Sequence, residues 1–326
     1  MNIPTLMTKV AALQGHPLPV SAQPAPASVD KSVVVATDDS RQLHRARGIR
    51  MRRNVVFSSI PSAKAGDRGL RLRMDVMMPA TAGPHPLVVY VPGGGFVFAA
   101  KAGGALMRGQ VAAAGYVVAS VEYRTTRQNA TYLDGIADIR SAIAYLSEHA
   151  EEFDFDPSRV AVWGESAGGY LAAMMGVNGE VDAVIDMFGG AALDRLADGF
   201  DSATAAKIMA PGNALARYVL GPNATVFEDD PEGTRMADPT LHIVDDASAF
   251  LIFHGDDDRI VSPRQTAELH AALLAAGVES ARYVLRGAGH GEIAVKRGEE
   301  KLWSTETVRE LIVGFLGLTI GGISAT

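Results

Sequence analysis

"RVAVWGESAGGYLAAMM" (residues 159–175) is the stretch that decides the fold of this 326-residue chain. An apolar, β-rich run over 160–163 leads into Gly164-Glu165-Ser166-Ala167-Gly168, and a helix-forming run follows. The five residues match the pattern G-x-S-x-G in the strand–turn–helix context that this pattern requires. Glycine- and serine-rich turns also match the pattern by chance, so the flanking strand and helix carry the interpretation.

The two glycines of this turn have a steric role. A strand that passes directly into a helix turns so tightly that side chains at Gly164 and Gly168 would collide. Ser166 is then held in a strained conformation, with its hydroxyl projecting above the sheet. The amino end of the following helix lies beneath the hydroxyl and favours negative charge there. Together these features predict a nucleophilic serine.

A serine hydroxyl needs a base, and the sequence offers carboxylates and a histidine in the order Ser, Asp, His. "AFLIFHGDDDRIVSP" (249–263) places Asp256, Asp257 and Asp258 directly after a predicted strand. "RYVLRGAGHGE" (282–292) places His290 in a glycine-rich loop after another. Taken singly, these residues are equally compatible with a solvated acidic turn and a surface loop. Since the carboxyl ends of parallel strands line one edge of a sheet, the order and placement predict that the three groups meet.

A glycine-rich stretch, "VYVPGGGF" (89–96), reaches the same edge because it follows the predicted strand 87–91. Residues without side chains let the backbone approach a ligand closely. The tetrahedral oxyanion of acyl transfer needs backbone N–H donors aimed at it. A phosphate-binding loop is the alternative, but the stretch lacks the spacing and the Lys-Ser/Thr pair of a P-loop. We therefore predict an oxyanion-binding loop.

The rest of the chain predicts an α/β fold with a mostly parallel, doubly wound sheet. From about residue 32 onward, short apolar runs alternate with amphipathic stretches of helical length. In "DGIADIRSAIAYLSEHA" (134–150), for example, isoleucine and leucine recur at helix-face spacing. An antiparallel hairpin is expected before the parallel part. The predicted strands cover residues 33–36, 52–57, 70–77, 87–91, 116–121, 160–163, 183–188, 250–253 and 282–285.

Two segments depart from this alternation. Between Gly189 and Pro239 only short, Ala-rich helical pieces occur, and the segment is too long for a plain loop in a compact domain. It predicts a small helical cap, at about 190–238, inserted into a catalytic domain of residues 32–326. Residues 1–31, rich in Pro, Ala and Ser in their second half, predict a flexible N-terminal arm.

Composition excludes several classes of function. The net charge of −7 argues against a nucleic-acid partner, and the basic run 41–53 is interpreted as an exposed segment leading into a strand. With no cysteine, the chain has no disulfide and no thiolate chemistry. The eight histidines are scattered without a helix-face pair, so no metal site is expected.

No apolar run approaches the roughly 18 residues of a membrane span, so no membrane partner is expected. The N-terminus lacks the charged and apolar regions of a signal peptide. A cytoplasmic location is therefore expected, with secretion through a signal already removed as the alternative. The sequence leaves the oligomeric state open, a homodimer included.

The chain resembles α/β-hydrolases of the hormone-sensitive-lipase-like group. Within that group it is most similar to the small microbial carboxylesterases related to feruloyl and acetyl-xylan esterases. The resemblance covers roughly residues 70–326. It is carried by "PGGGF", "SVEYR", "IADIRSAIAYLSEHAEEFDFDPSRVAVWGESAGG", "ADPTLHIVDDASAFLIFHGDDDRIVSP" and "GAGHGE".

The resemblance implies a catalytic triad. Ser166 would be the nucleophile and His290 the general base. The last position of the family's H-G-x-x-D pattern is the triad carboxylate, which here is Asp258. The family uses no cofactor, so none is expected.

The resemblance also implies an oxyanion hole, formed by the N–H groups of Gly94, Gly95 and Ala167. The family usually has His-Gly-Gly-Gly at the start of the glycine loop, and Pro92 stands in place of that histidine. A proline has no N–H to donate, but its fixed φ could set the turn in the histidine's place.

The expected activity is therefore serine carboxylic-ester hydrolysis of a small-molecule substrate. Short acyl or aryl esters are favoured because the predicted cap is small and aromatic residues make up only 6% of the chain. Phe96, Phe98 and Tyr170 would either shape an apolar acyl pocket or pack in the core. A lactonase or an arylformamidase-type amide hydrolase on the same triad is one alternative. A catalytically silent hydrolase fold that serves as a ligand receptor is another, and it would be expected to have lost the serine or the histidine.

Overall fold

The computed structural model describes residues 20–25, 31–36, 41–62, 69–293 and 295–321. Within these residues the chain forms one nine-stranded sheet in the order β1-β9-β8-β7-β6-β4-β5-β3-β2. The strands are β1 Val33–Val35, β2 Ile49–Ile60, β3 Leu70–Pro79, β4 His85–Val91, β5 Val117–Val121, β6 Phe155–Glu165, β7 Ala183–Met187, β8 Ala249–Gly255 and β9 Ser280–Leu285.

The sheet is parallel except around β3. Strand β3 pairs antiparallel with both β2 and β5, whereas all the other neighbours run parallel. The predicted α/β sheet with an antiparallel hairpin at its start is thus confirmed, and each of the nine predicted strands overlaps an observed one. Strand β2 is longer than predicted, because it begins at Ile49 within the basic run, where the apolar pattern that predicts a strand is absent. Register shifts after Arg52 and Val56 interrupt its pairing with β3.

The helices cover both faces of the sheet. Those within the described residues are α1 Ala105–Ala113, α2 Tyr132–Glu148, α3 Ala150–Phe153, α4 Ala167–Val177, α5 Ser202–Ile208, α6 Ala214–Leu220, α7 Pro231–Met236, α8 Pro263–Ala275 and α9 Glu306–Thr319. Short 3₁₀ turns occur at Thr126–Gln128, Leu193–Arg195, Phe227–Asp229 and Glu299–Trp303. No helix in this described part of the chain is both long and apolar enough to cross a membrane.

Each face of the sheet packs against its own hydrophobic core, and strand β4 shows why. All seven of its residues are buried, and alternate side chains point to opposite faces. Val89 and Val91 pack with α2, α4 and α8 on one face. Val88 and Tyr90 pack with α1 and α9 on the other. With both faces covered, the carboxyl edge of the sheet remains the place where loops can form a site.

The segment between β7 and β8 contains helices α5, α6 and α7 and, among its described residues, no strand, as predicted. It packs against loops at the carboxyl edge of the sheet. The hydroxyl of Tyr218 donates to the carbonyl of Arg124 at 3.0 Å, and its ring lies 4.9 Å from the ring of Phe96 in the glycine loop. The hydroxyl of Ser262 donates to the carbonyl of Asp198 at 2.7 Å.

Only part of the predicted N-terminal arm lies within the described residues. Residues 20–25 pack against the carboxyl edge: the Ser21 N–H donates to the Arg259 carbonyl at 2.8 Å. Arg259 Nη1 in turn donates to the Ala22 carbonyl at 2.7 Å, and Ala25 is buried. The rest of the arm, apart from Lys31, lies outside the described residues.

Candidate active site

Ser166 occupies a sharp turn between the end of β6 and the start of α4. Its backbone angles, φ 52° and ψ −117°, are strained for a residue with a side chain. A Cβ at Gly164 would lie 2.1 Å from the Gly168 carbonyl oxygen, and a Cβ at Gly168 would lie 2.0 Å from that of Val91. The predicted steric need for both glycines is confirmed. The second contact also presses the turn against the end of β4, where the glycine loop begins.

The structure brings Ser166, His290 and Asp258 together in one hydrogen-bonded line. His290 Nε2 lies 2.8 Å from Ser166 Oγ, and His290 Nδ1 lies 2.7 Å from Asp258 Oδ2. A carboxylate only accepts, so the imidazole proton belongs on Nδ1 and Nε2 is left to accept from the serine hydroxyl. The ring of Phe188 packs 4.7 Å from the imidazole. This arrangement can transfer a proton from the serine to the histidine.

Of the three neighbouring aspartates, only Asp258 points into this line. It is fully buried, and its Oδ1 accepts from the N–H groups of Ile260 at 2.9 Å and Val261 at 3.0 Å. Asp256 turns away and accepts from the Gly287 N–H at 2.6 Å. Asp257 forms ion pairs with Arg259 and Lys296.

Asp258 is held as a carboxylate in spite of its burial. Burial alone would raise its pKa, but the positive charge of a protonated His290 and the hydrogen bonds from His254 and His290 lower the pKa well below the usual range of aspartic acid. The group therefore stays ionised throughout the pH range in which proteins are normally folded, and it can orient and stabilise a charged imidazole.

The glycine loop curls beside Ser166. Gly94 and Gly95 have positive φ angles of 152° and 58°, and a Cβ at Gly93 would come within 3.1 Å of the Ser166 Cβ. In the described part of the chain, the N–H groups of Gly94, Gly95 and Ala167 donate to no other group. They are therefore available as hydrogen-bond donors.

Residues from the "SVEYR" stretch and its continuation anchor this loop, and sequence reasoning did not identify that role. The hydroxyl of Tyr123 donates to the Pro92 carbonyl at 2.9 Å. Thr125 Oγ1 donates to the Val97 carbonyl at 3.1 Å, and Thr126 Oγ1 to that of Phe96 at 3.0 Å. The motif showed that this stretch matters, but only the folded chain shows what it contacts.

The three predicted pocket residues differ in their exposure. Tyr170 is fully buried, and its hydroxyl donates to the Ala237 carbonyl at 2.8 Å. Phe96 is also buried, with its ring 5.8 Å from that of Tyr170. Burial favours the core-packing alternative for both. Phe98 is half-buried, with the guanidinium of Arg127 5.4 Å from its ring centre.

Glu165, the residue before the nucleophile, was not singled out from the sequence. Burial raises the pKa of its carboxyl group to about 7, and the charge of Glu292 adds to the rise, whereas Arg108 opposes it. The group next to Ser166 therefore changes charge near neutral pH. Its position inside the G-x-S-x-G turn was the available signal. Among the described residues, no three His, Asp or Glu side chains are placed to hold a metal ion.

The chain matches a known family model and is similar to curated proteins of known class. A family model described as BD-FAE matches residues 74–273. A probable isoprenylcysteine alpha-carbonyl methylesterase of Arabidopsis thaliana is 25% identical over 268 residues, which cover 74% of this chain and 51% of that protein. Esterase LipC of Mycobacterium tuberculosis is 29% identical over 225 residues, covering 64% of this chain and 53% of LipC. The chain thus spans about half the length of these curated relatives.

Among solved structures, a truncated form of a carbohydrate esterase from gut microbiota is similar to this chain with a TM-score of 0.68. The two are 20% identical, and the match covers 87% of this chain and 98% of the other. At this identity the similarity is evidence for the fold alone, and it confirms the predicted α/β-hydrolase architecture.

Proposed function

This chain belongs to the BD-FAE family of α/β-hydrolase esterases, and on that premise we propose that it is a serine carboxylic-ester hydrolase. The observation that carries the proposal is the hydrogen-bonded line from Ser166 Oγ through His290 to Asp258, at 2.8 and 2.7 Å. The relatives named as esterases support the same class of reaction. A ligand receptor without activity would have no need for this alignment.

In the proposed acylation, Ser166 Oγ attacks the ester carbonyl carbon while His290 Nε2 accepts the serine proton. The carbonyl π electrons move to oxygen, and a tetrahedral oxyanion forms. When it collapses, the bond from carbon to the alcohol oxygen breaks, and His290 gives its proton to the leaving alcohol. Asp258 stabilises the imidazolium that exists between these two transfers.

Deacylation repeats the same chemical steps with water as the nucleophile. His290 accepts a proton from water as its oxygen attacks the acyl-enzyme carbonyl. The carbon–Oγ bond then breaks, the proton returns to Ser166, and the carboxylic acid leaves. In both steps the N–H groups of Gly94, Gly95 and Ala167 would bind the oxyanion, and such donors are each worth about 10²- to 10³-fold in kcat.

We further propose that the 190–238 segment forms a small cap and that the enzyme prefers short acyl chains. The rings of Phe96, Tyr170 and Tyr218 fill the space between the glycine loop and this segment. A cavity of about 20 Å³ beside the serine turn, lined by Glu165 and Phe188 but not by Ser166, has room for roughly one water molecule and is too small to be the acyl pocket. A larger groove of about 600 Å³ lies at the opposite ends of the strands, near Val160 and Ala249, so it cannot receive the acyl group.

The experiment that tests this proposal is a substrate panel. With p-nitrophenyl esters from acetate to decanoate, we expect kcat/KM to be highest for acetate to butyrate and to fall by about tenfold or more at decanoate, since each tenfold corresponds to ~1.4 kcal/mol of lost transition-state stabilisation. A γ-lactone and an N-formyl arylamine, measured in parallel, test the lactonase and arylformamidase alternatives. No hydrolysis of any ester would contradict the proposed function, and a decanoate optimum would contradict the short-chain preference.

Pro92 gives a second prediction, because it replaces the family's usual histidine. Its carbonyl is already held by Tyr123, and its fixed φ sets the direction of the loop. We expect Pro92→His to keep kcat/KM within about tenfold of the wild type. Gly94→Pro removes an N–H donor and should lower kcat by at least about 10²- to 10³-fold, because proline cannot adopt the φ of 152° at Gly94 and the loop is also distorted. Equal damage from the two substitutions, measured on the same ester, would show that Pro92 does more than set the turn.

A further inference from the structure

A chain of buried polar groups leads away from Asp258 on the side opposite His290. Arg282 Nε donates to Thr266 Oγ1 at 3.0 Å. Thr266 Oγ1 lies 2.8 Å from His254 Nδ1, and His254 Nε2 lies 3.2 Å from Asp258 Oδ2. The carboxylate oxygen that receives the His290 N–H therefore also faces a second histidine.

The chemistry of these groups indicates which one donates in each hydrogen bond. An arginine only donates, so Thr266 Oγ1 accepts from Arg282 and keeps its own proton. That proton faces His254 Nδ1 at 2.8 Å and the Pro263 carbonyl at 3.4 Å, so the shorter contact is to the histidine. His254 Nε2 faces two acceptors, the Val261 carbonyl at 3.1 Å and Asp258 Oδ2. The imidazole proton therefore belongs on Nε2, where it can be shared between the backbone and the catalytic carboxylate.

Charge and burial keep His254 in this form. The side chain is fully buried, and burial, with a contribution from the charge of Arg282, lowers the pKa of His254 even though the contact with Asp258 opposes the change. Arg282 is itself buried, which lowers its pKa to about 10, so it remains charged at neutral pH; Asp186 is the acidic group that acts on it. The ring is thus a neutral donor beside Asp258.

We propose that His254, oriented by Thr266 and Arg282, is a positioning residue that fixes the Asp258 carboxylate for His290. This rests on the proposed function of the Ser166–His290–Asp258 line. Oδ1 is held by the N–H groups of Ile260 and Val261, and the His254 N–H restrains Oδ2. The carboxylate then keeps one orientation while the charge of His290 changes, and its affinity for a proton stays low.

The sharpest test is a pair of substitutions at Thr266. Thr266→Val keeps the shape but removes the hydroxyl that orients His254. We expect kcat to fall by about tenfold to a hundredfold, the range for losing a hydrogen bond to a charged group, here the bond from the no longer oriented His254 N–H to Asp258. KM should change less than about twofold, because ester binding is not involved. Thr266→Ser, which keeps the hydroxyl, should recover most of the loss. The acid limb of kcat/KM should move to higher pH in Thr266→Val, because the Asp258 carboxylate, with one donor fewer, stabilises the positive charge on His290 more strongly.

Substitutions at His254 test the donor itself. His254→Gln can place an N–H near the former Nε2 and should retain more activity than His254→Leu, which has no donor. The matched control is His270→Leu, because His270 is another buried histidine, and its ring nitrogens contact Ser280 Oγ at 2.8 Å and the Lys31 carbonyl at 3.2 Å, not Asp258. It should leave the pH profile unchanged. Thermal unfolding of each variant separates loss of positioning from loss of folding.

Two outcomes would overturn the inference while the proposed function stands. In the first, the wild type is active, and Thr266→Val and Thr266→Ser have the same kcat and the same pH profile. In the second, the wild type is active, and His254→Leu retains as much activity as His254→Gln. Nitrogen-15 NMR of the histidine rings gives a readout that needs no activity. A neutral His254 with its proton on Nε2 supports the inference even if no ester is cleaved, and a charged ring or a proton on Nδ1 contradicts it.

Discussion

Ser166→Ala is expected to lower kcat for ester hydrolysis by about 10⁵- to 10⁶-fold, the scale of losing the nucleophile in serine hydrolases. Without Oγ, no acyl-enzyme can form, and the residual rate would come from the oxyanion-binding N–H groups acting on a water molecule. The backbone of the turn has φ 52° and would be strained for alanine as it is for serine, so the fold should persist. Steady-state kinetics on a short-chain p-nitrophenyl ester measure the loss of kcat, and circular dichroism of the variant measures whether the fold persists.

The matched control for this substitution is Ser141→Ala. Ser141 lies on α2, and its hydroxyl donates to the Ala137 carbonyl of the same helix at 2.8 Å. Its removal should change kcat by less than about twofold. If Ser166→Ala kept more than about a hundredth of the wild-type kcat, an effect of only ~2.7 kcal/mol, the nucleophile would have to be sought elsewhere.

Asp258→Asn carries the second largest expected effect, a fall in kcat of about 10³- to 10⁴-fold. An asparagine amide group facing His290 Nδ1 can donate, which favours the tautomer with the proton on Nε2, where it blocks acceptance from Ser166. The variant also loses the negative charge that stabilises the imidazolium. KM should change much less, because Asp258 is fully buried and therefore has no surface to offer the substrate.

The two preceding aspartates provide internal controls. In Asp256→Asn the side-chain oxygen can still accept from the Gly287 N–H, and the group is outside the hydrogen-bonded line. Asp257→Asn loses ion pairs with Arg259 and Lys296 and should cost stability more than kcat. Both variants should stay within about tenfold of the wild-type kcat. If Asp257→Asn were the most damaging of the three, the assignment of the loop would be off by one residue.

Most of the sheet could be predicted from the sequence because its central strands are short apolar runs bounded by glycine or proline. Strand β4, for example, is buried along its whole length and ends at Val91, directly before Pro92. The turn around Ser166 could also be predicted, because only glycine fits at positions 164 and 168. A Cβ atom at either position would lie about 2 Å from a backbone oxygen. In both cases a local rule and the final packing agree.

Other features depend on distant contacts and could not be predicted. Strand β1 has only three residues, and its parallel pairing with β9 at the far edge depends on chain segments about 250 residues apart. The burial of Tyr170 follows from its bond to Ala237 on the segment between β7 and β8. The role of His254 could not be inferred from the H-G-x-x-D pattern, because its partners Thr266 and Arg282 come from α8 and β9.

The central claim is that Ser166 forms the covalent acyl-enzyme, and labelling with a p-nitrophenyl phosphonate tests it most directly. The phosphonate should release one equivalent of p-nitrophenol per chain and abolish ester hydrolysis with the same time course. Peptide mass spectrometry should then place a single adduct on Ser166, and His290→Ala should slow its formation by about 10³-fold or more, because the hydroxyl has lost its base. An adduct on another residue with Ser166 unmodified, or complete inactivation without an adduct on Ser166, would contradict the account.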